Sequence, residues 1–178
     1  KSTVTFNLAL WVATRHNKHV LVYDLDPQAT TTDAFQIRQE EGYLPIITPQ
    51  AQIASLCEDV SNTEVLIDIG LSDKGAVEQA LRLADRLLIP IAPSQADIWS
   101  TQRFLKMVAE IRAGKPIEIL AVINRADTHK AVRETEEAAE AVSLLPNVTL
   151  VEPRLYMRNT YRRSFSEGLA VFEMEPRS

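Results

Sequence analysis

Three aspartates stand where short apolar runs end. Val20 to Tyr23 closes on Asp24 and, one residue further, on Asp26, followed by Pro27-Gln28-Ala29; Val65 to Ile67 closes on Asp68, with Gly70 just beyond. Two carboxylates separated by one residue can divide the work of a phosphoryl-transfer site, one supporting a metal shell and the other orienting a water for attack on phosphorus. Pro27 stiffens the exit from this strand end. At the start of the chain Lys1-Ser2-Thr3 runs directly into Val4, Leu8, Trp11 and Val12, apolar residues at helical spacing. A lysine and a hydroxyl opening a helix form the tail of the phosphate-loop pattern G-x-x-x-x-G-K-S/T, whose lysine reaches the terminal phosphates and whose hydroxyl binds magnesium. Asp68, delivered by a buried apolar run, suits the carboxylate of a magnesium shell; a strand-end aspartate capping its own turn is the competing reading. Gly70 suits a loop that approaches a phosphate or changes conformation.

Such residues act together only if the backbone brings them to one place. The runs at 20–23, 65–67, 87–91 (closing on Pro93 and Ser94) and 119–123 (closing on Asn124) lack polar alternation and read as parallel strands buried on both faces. Helical stretches are expected over roughly 29–40, 51–58, 75–84, 97–112, 130–144 and 156–167. Strand and helix alternate, which predicts an α/β fold with a mostly parallel sheet flanked by helices on both faces and ligands at the carboxyl ends of the strands. Asp24, Asp26, Asp68, Ser94 and Asn124 should then share one edge. No repeat or linker divides the chain, the stretch 42–50 reads as a local excursion, and residues 1–178 are expected to form a single domain. Opening on a helix, with only five glycines overall, predicts that the first strand and most of the phosphate loop lie before Lys1.

With 178 residues, 46% of them apolar and 24% charged, and no apolar run long enough to span a bilayer, the chain reads as a soluble globular protein. A net charge of −5 argues against a wholly basic nucleic-acid coat but leaves local patches open. The single cysteine, Cys57, points to a reducing, cytoplasmic compartment, and no secretion signal is visible. His16, His19 and His129 lack metal-ligand company, Trp11 and Trp99 read as core or interface, and Glu134, Glu136, Glu137 and Glu140 read as a solvated helix face.

The D-x-D-P-Q strand end at Asp24 to Gln28, placed after the Lys1-Ser2-Thr3 helix start, resembles the ParA/MinD family of deviant-Walker P-loop ATPases. The likeness continues through Pro93-Ser94 to Asp97, Val122 to Arg125, and Phe165 to Glu173, and is greatest to small ParA-type plasmid or chromosome partition ATPases. The resemblance implies ATP and Mg2+ as cofactors, with Lys1 as the phosphate-loop lysine, Ser2 as a magnesium ligand and Thr3 as a phosphate contact. It further implies Asp26 as the water-orienting carboxylate, Asp24 as its neighbour in the metal shell, Asp68 as the metal-shell aspartate of the second strand, and Asn124 as an adenine contact. The turn Ile69-Gly70-Leu71-Ser72 departs from the family's T-P-P or S-P-P type, so the loop after Asp68 is expected to respond differently to nucleotide.

Arg154, Arg158, Arg162 and Arg163 fall in a stretch, Pro153 to Ser166, free of acidic residues, and the first three repeat every four positions. On a helix they would make one cationic stripe suited to DNA phosphates; a solvated face, or pairing with acids of a dimer partner, is the alternative. By resemblance, ATP closes a homodimer, the dimer binds duplex DNA nonspecifically, and a ParB-like adaptor stimulates slow hydrolysis, giving a cytoplasmic, nucleoid-associated protein with no membrane partner. Competing functions are a metabolic ATP-dependent enzyme of amidoligase or carboxylase type, for which no substrate pocket is identifiable, and a MinD-like membrane-site selector, for which residues 173–178 offer no basic amphipathic helix. One cysteine cannot supply the cluster of an iron-protein reductase.

Overall fold

Among the residues described by the computed structural model, 1–53, 63–129 and 133–174, every strand pairing is parallel. Most of the helix expected over 51–58, with Cys57, and the start of that expected from 130 lie outside the described residues. Parallel neighbours must be joined by crossovers, and helices alternate with the strands as the sequence predicts. The chain divides into two compact units, residues 1–77 with 159–178, and residues 78–158.

In the first unit, α1 (Ser2–Arg15) leads to β1 (His19–Asp24), α2 (Thr30–Glu40) and β2 (Thr63–Asp68). β1 and β2 pair in a register that sets Asp24 directly beside Asp68. The core is formed by Phe6, Ala9 and Leu10 of α1, Val20 and Val22 of β1, and Ala34 and Phe35 of α2. Phe6 packs against Phe35 with the rings tilted and their centroids 4.7 Å apart, and meets Phe165 edge-on at 5.5 Å. Phe6, Ala9 and Leu10 of α1 go inward and Val12 packs against them, whereas Trp11 is 43% exposed. The helix is apolar almost all round, so spacing alone does not select the buried side. Trp11 packs its edge against Phe172 under the Arg15 guanidinium, and Trp99 in the other unit is also exposed, so neither tryptophan belongs to a core.

The unit closes with α6 (Asn159–Ser166) and a single 3-10 turn, Val171–Glu173. α6 ends because Gly168 adopts φ +67, while Leu169 N–H reaches back to the Ser164 carbonyl at 2.9 Å. A Cβ on Gly168 would stand 2.5 Å from the Arg38 backbone nitrogen, so α2 packs directly on this glycine.

In the second unit, α3 (Lys74–Leu83, its first turn counted with the first unit) precedes β3 (Arg86–Ile91), α4 (Gln95–Arg112), β4 (Glu118–Ala126), α5 (Glu134–Ser143) and two short strands, β5 (Thr149–Leu150) and β6 (Leu155–Tyr156). β4 is central, pairing with β3 on one side and with β5 and β6 on the other. Ile91, Ile98, Ala121, Ile123, Ala138 and Val142 make its core. Arg112 donates to the Leu81, Arg82 and Ala84 carbonyls at 2.9–3.2 Å, satisfying the open end of α3 with a cation where the helix dipole favours one. Among the described residues no helix is long and apolar enough to cross a membrane.

Candidate functional site

Where β1 and β2 end, three side chains meet. The Lys1 ammonium, at the N-cap of α1, lies 2.6 Å from Asp26 Oδ2 and 3.7 Å from Asp68 Oδ1. Burial works against the Lys1 charge, but the hydrogen bond to Asp26 and the charges of Asp68 and Asp26 outweigh it and hold its pKa above 10.5. Reciprocally, the hydrogen bond from Lys1, helped by the Gln28 amide at 3.0 Å, holds the Asp26 carboxyl below the ordinary 3.8. Ser2 and Thr3 open α1, and their amides are the helix-start donors that an anion brought to that end would meet.

Asp68 is buried, and its Oδ2 accepts a 2.6 Å hydrogen bond from the Thr31 hydroxyl. Asp24, also buried, accepts from the Thr32 amide and hydroxyl at 2.8 and 2.9 Å through Oδ2, and from the Asp26 amide at 3.3 Å through Oδ1. α2 needs this help: its N-cap is Ala29, in a left-handed conformation, and alanine has no side-chain oxygen to cap a helix. Asp24 thus supplies from β1 the acceptor that Ala29 lacks. Both its oxygens accept hydrogen bonds inside the loop, so Asp24 supports Asp26 and the start of α2.

Gly70 has a steric reason to be glycine. A Cβ there would come 2.9–3.0 Å from the Asp26 carboxyl atoms, so the glycine makes room for that carboxylate. The oxygens gathered here are hard donors of the kind that suit a divalent cation such as magnesium. No cluster of three or more His, Cys, Asp or Glu that could hold a metal occurs among the described residues. A cation here would complete its shell with phosphate oxygens and water, as magnesium does.

The remaining expected residues are placed in other ways. Ser94 N-caps α4, accepting from the Asp97 amide at 3.2 Å while its hydroxyl contacts the Asp97 carboxylate, so the P-S-x-x-D pattern is a helix start. Asn124 lies in the second unit and is not the end of its strand: β4 continues to Ala126 through a bulge at which Arg125 takes φ +58. Beside that bulge a cavity of about 280 Å³ is lined by Pro93, Arg125, Asp127, Glu134, Thr135 and Met157 among others.

The single helical stripe of arginines is corrected. α6 starts only at Asn159, so Arg154 and Arg158 precede it, and β6 occupies part of the stretch expected to be helical. Arg154 is held in a two-pronged pair by Glu136, one contact at 2.7 Å, so Glu136 is not merely a solvated charge. Arg163 pairs with Glu167 at 2.9 Å. Arg158 is exposed and lies over the Tyr156 ring, and Arg162 is exposed on α6 with no ion pair among the described residues.

Thr31, Thr32 and Arg38 were not expected at all. Arg38 is 1% exposed, yet its guanidinium donates to Glu173 at 2.8 and 2.9 Å, to Gly168 O at 3.0 Å, to Pro45 O at 3.1 Å, and to Leu44 O. The only sequence signal for the threonines is their place directly after the D-x-D-P-Q run, at the start of a helix.

The site thus sets a lysine at a helix start beside carboxylates at the ends of parallel strands, on an α/β framework. The profile of the CobQ/CobB/MinD/ParA nucleotide-binding domain matches residues 1–171, and the chain belongs to that family. It is 23% identical over 185 residues to the maintenance of carboxysome distribution protein A of Halothiobacillus neapolitanus, covering 99% of this chain and 83% of that protein. It is 25% identical over 161 residues to protein ParA of Rhizobium radiobacter, covering 88% and 72%. In fold it is similar to apo McdA of Cyanthece, with a TM-score of 0.78 at 14% identity over 97% of this chain and 86% of that one. It is also similar to a plasmid partition protein of Borrelia burgdorferi bound to AMPPNP, with a TM-score of 0.69 at 16% identity over 97% and 88%. The fold is the α/β fold the sequence predicts, with parallel strands flanked by helices.

Proposed function

We propose that this chain is a positioning ATPase. It binds ATP with Mg2+, forms a homodimer on doing so, binds duplex DNA without sequence preference, and hydrolyses ATP slowly under the control of a ParB-like adaptor. Its place is the cytoplasm, on the nucleoid. The observation that carries this reading is the Lys1 ammonium at the start of α1, held 2.6 Å from Asp26 and 3.7 Å from Asp68. The similarity to a carboxysome-distribution protein and to ParA supports a large assembly as the cargo.

In this reading an incoming triphosphate competes with Asp26 and Asp68 for Lys1, and the first-turn amides of Ser2 and Thr3 add donors to its oxygens. Magnesium, when bound, neutralises phosphate charge; Ser2 and Asp68 are the residues that would hold it. Asp26, released from Lys1, accepts a hydrogen bond from the attacking water and orients it. Asp24 keeps Asp26 and α2 in place through its bonds to the Asp26 amide and to Thr32. Asn124 is assigned to the base, which its amide can both donate to and accept from. Arg158 and Arg162 are the principal DNA contacts, with Arg154 and Arg163 contributing once their carboxylate partners are displaced.

A fluorescent ATP analogue titrated with magnesium tests the site: Lys1→Ala should lose affinity, and undiminished binding refutes the assignment. Asp26→Ala should bind the analogue and fail to release phosphate in a single turnover. Arg158→Ala with Arg162→Ala should bind nucleotide normally, lose affinity for all duplex sequences alike, and show a shallower dependence on log salt concentration. Unchanged DNA binding by that double variant would return the arginines to a structural role.

A further inference from the structure

We propose that Thr31 is a positioning residue for Asp68, fixing which of its two oxygens is available to the site. This rests on the nucleotide-site reading above and adds to it a residue outside the phosphate-loop tail and the aspartates. Thr31 has no exposed surface, and its hydroxyl gives its proton to Asp68 Oδ2 at 2.6 Å across 37 positions of sequence. Asp68 is itself only 2% exposed, so water cannot replace that donor without opening the first turn of α2. With Oδ2 bound behind the site, Oδ1 is the oxygen turned toward Lys1, 3.7 Å from its ammonium.

The threonine after it does the same for the other strand. Thr32 grips Asp24 Oδ2 through both its amide and its hydroxyl. Two consecutive residues on one helix therefore hold two carboxylates that the β1–β2 register places side by side. A carboxylate left to rotate about its terminal bond would present either oxygen to a cation; a charge-assisted hydrogen bond to one removes that freedom before any ligand arrives. Supporting bonds of this kind govern metal affinity more than fold, and their loss costs about 10- to 100-fold in affinity.

The test is a magnesium titration of fluorescent ATP-analogue binding, with a parallel arm in EDTA. Thr31→Val, which keeps the shape and removes the donor, should raise the magnesium concentration at half-effect by about 10- to 100-fold. Its analogue affinity in EDTA should equal that of the parent, since a merely loosened fold would weaken both arms together. Thr31→Ser should restore the parental midpoint. A folded Thr31→Val variant whose magnesium midpoint stays within about twofold of the parent overturns the proposal while the nucleotide site stands. If the parent itself shows no magnesium-dependent binding, the nucleotide reading fails and this proposal with it. Should Thr31→Val not fold, Thr31→Cys, a weaker donor of similar size, takes its place with the same criterion.

Discussion

Replacing Glu173 by alanine strips the Arg38 guanidinium of its carboxylate partner at a site where solvent cannot substitute. Two hydrogen bonds from Arg38 at 2.8 and 2.9 Å, a third from the Ala170 amide at 2.8 Å, and the facing charge disappear, while three backbone carbonyls continue to hold the cation in place. Removing one partner of a buried ion pair costs about 3–5 kcal/mol, since the remaining charge is left uncompensated. The Glu173 side chain is 21% exposed, which draws the estimate to the lower end, about 3 kcal/mol. For a chain of 178 residues that corresponds to a fall in Tm of about 6–12 °C. Urea and thermal unfolding followed by circular dichroism measure it directly. Glu78→Ala is the internal control: Glu78 and Arg82 are 51% and 59% exposed, and losing such an exposed pair costs less than about 1 kcal/mol. If Glu173→Ala falls in the same range as Glu78→Ala, the argument from burial is wrong.

Other perturbations follow from single contacts. Gly168→Ala must place a Cβ 2.5 Å from backbone of α2 at a left-handed position, and should cost about 3 kcal/mol or more in urea unfolding. Gly70→Ala brings its Cβ first against the movable Asp26 carboxylate, so stability should change by less than about 1 kcal/mol while single-turnover phosphate release drops about 10- to 100-fold. The Asp26 carboxyl is more acidic folded than unfolded, so its contribution to stability is present above its unfolded pKa and lost as pH falls through the depressed folded value. Asp26→Asn should remove that acid-side loss. It should also lower the folded pKa of Lys1, with Asp68 still beside it, so that the stability lost as pH rises through that pKa shrinks; stability curves against pH for the two proteins check both limbs.

Much of this site is readable from sequence because its carboxylates sit at strand ends. An apolar run that closes on aspartate fixes both the element and the position of the acid, and the parallel register then sets Asp24 beside Asp68. What holds those acids is not readable, because Thr31 and Asp68 are partners only after α2 has folded back over the strand ends. Arg38 carries no signal either: in sequence it is one more charged residue on a polar helix, and its burial comes from a carboxylate 135 positions away. The arginine stripe fails for a local reason. A four-residue repeat marks one face only if the backbone is helical throughout, and Leu155–Tyr156 pair instead with β4. That pairing fixes Arg154 and Arg158 ahead of the helix on which the repeat would have aligned them.

These contacts make α2 a strut with a different task at each end. Its first turn holds the two buried carboxylates through Thr31 and Thr32, and Arg38, near its last turn, is bound to Glu173 and to the glycine that ends α6. Eleven helical residues span about 16 Å, and a helix of that length transmits displacement as a rigid body rather than absorbing it. A perturbation at Glu173 should therefore appear in magnesium-dependent nucleotide binding although Glu173 is bonded to none of Lys1, Asp26 or Asp68. The measurement separates a strut from a mere anchor. If α2 carries the strain, Glu173→Gln, which keeps an acceptor for Arg38 but removes the charge, should shift the magnesium midpoint in the same direction as Thr31→Val and by less. If α2 only anchors the end of the chain, Glu173→Gln will lower the unfolding midpoint and leave the magnesium titration where the parent has it.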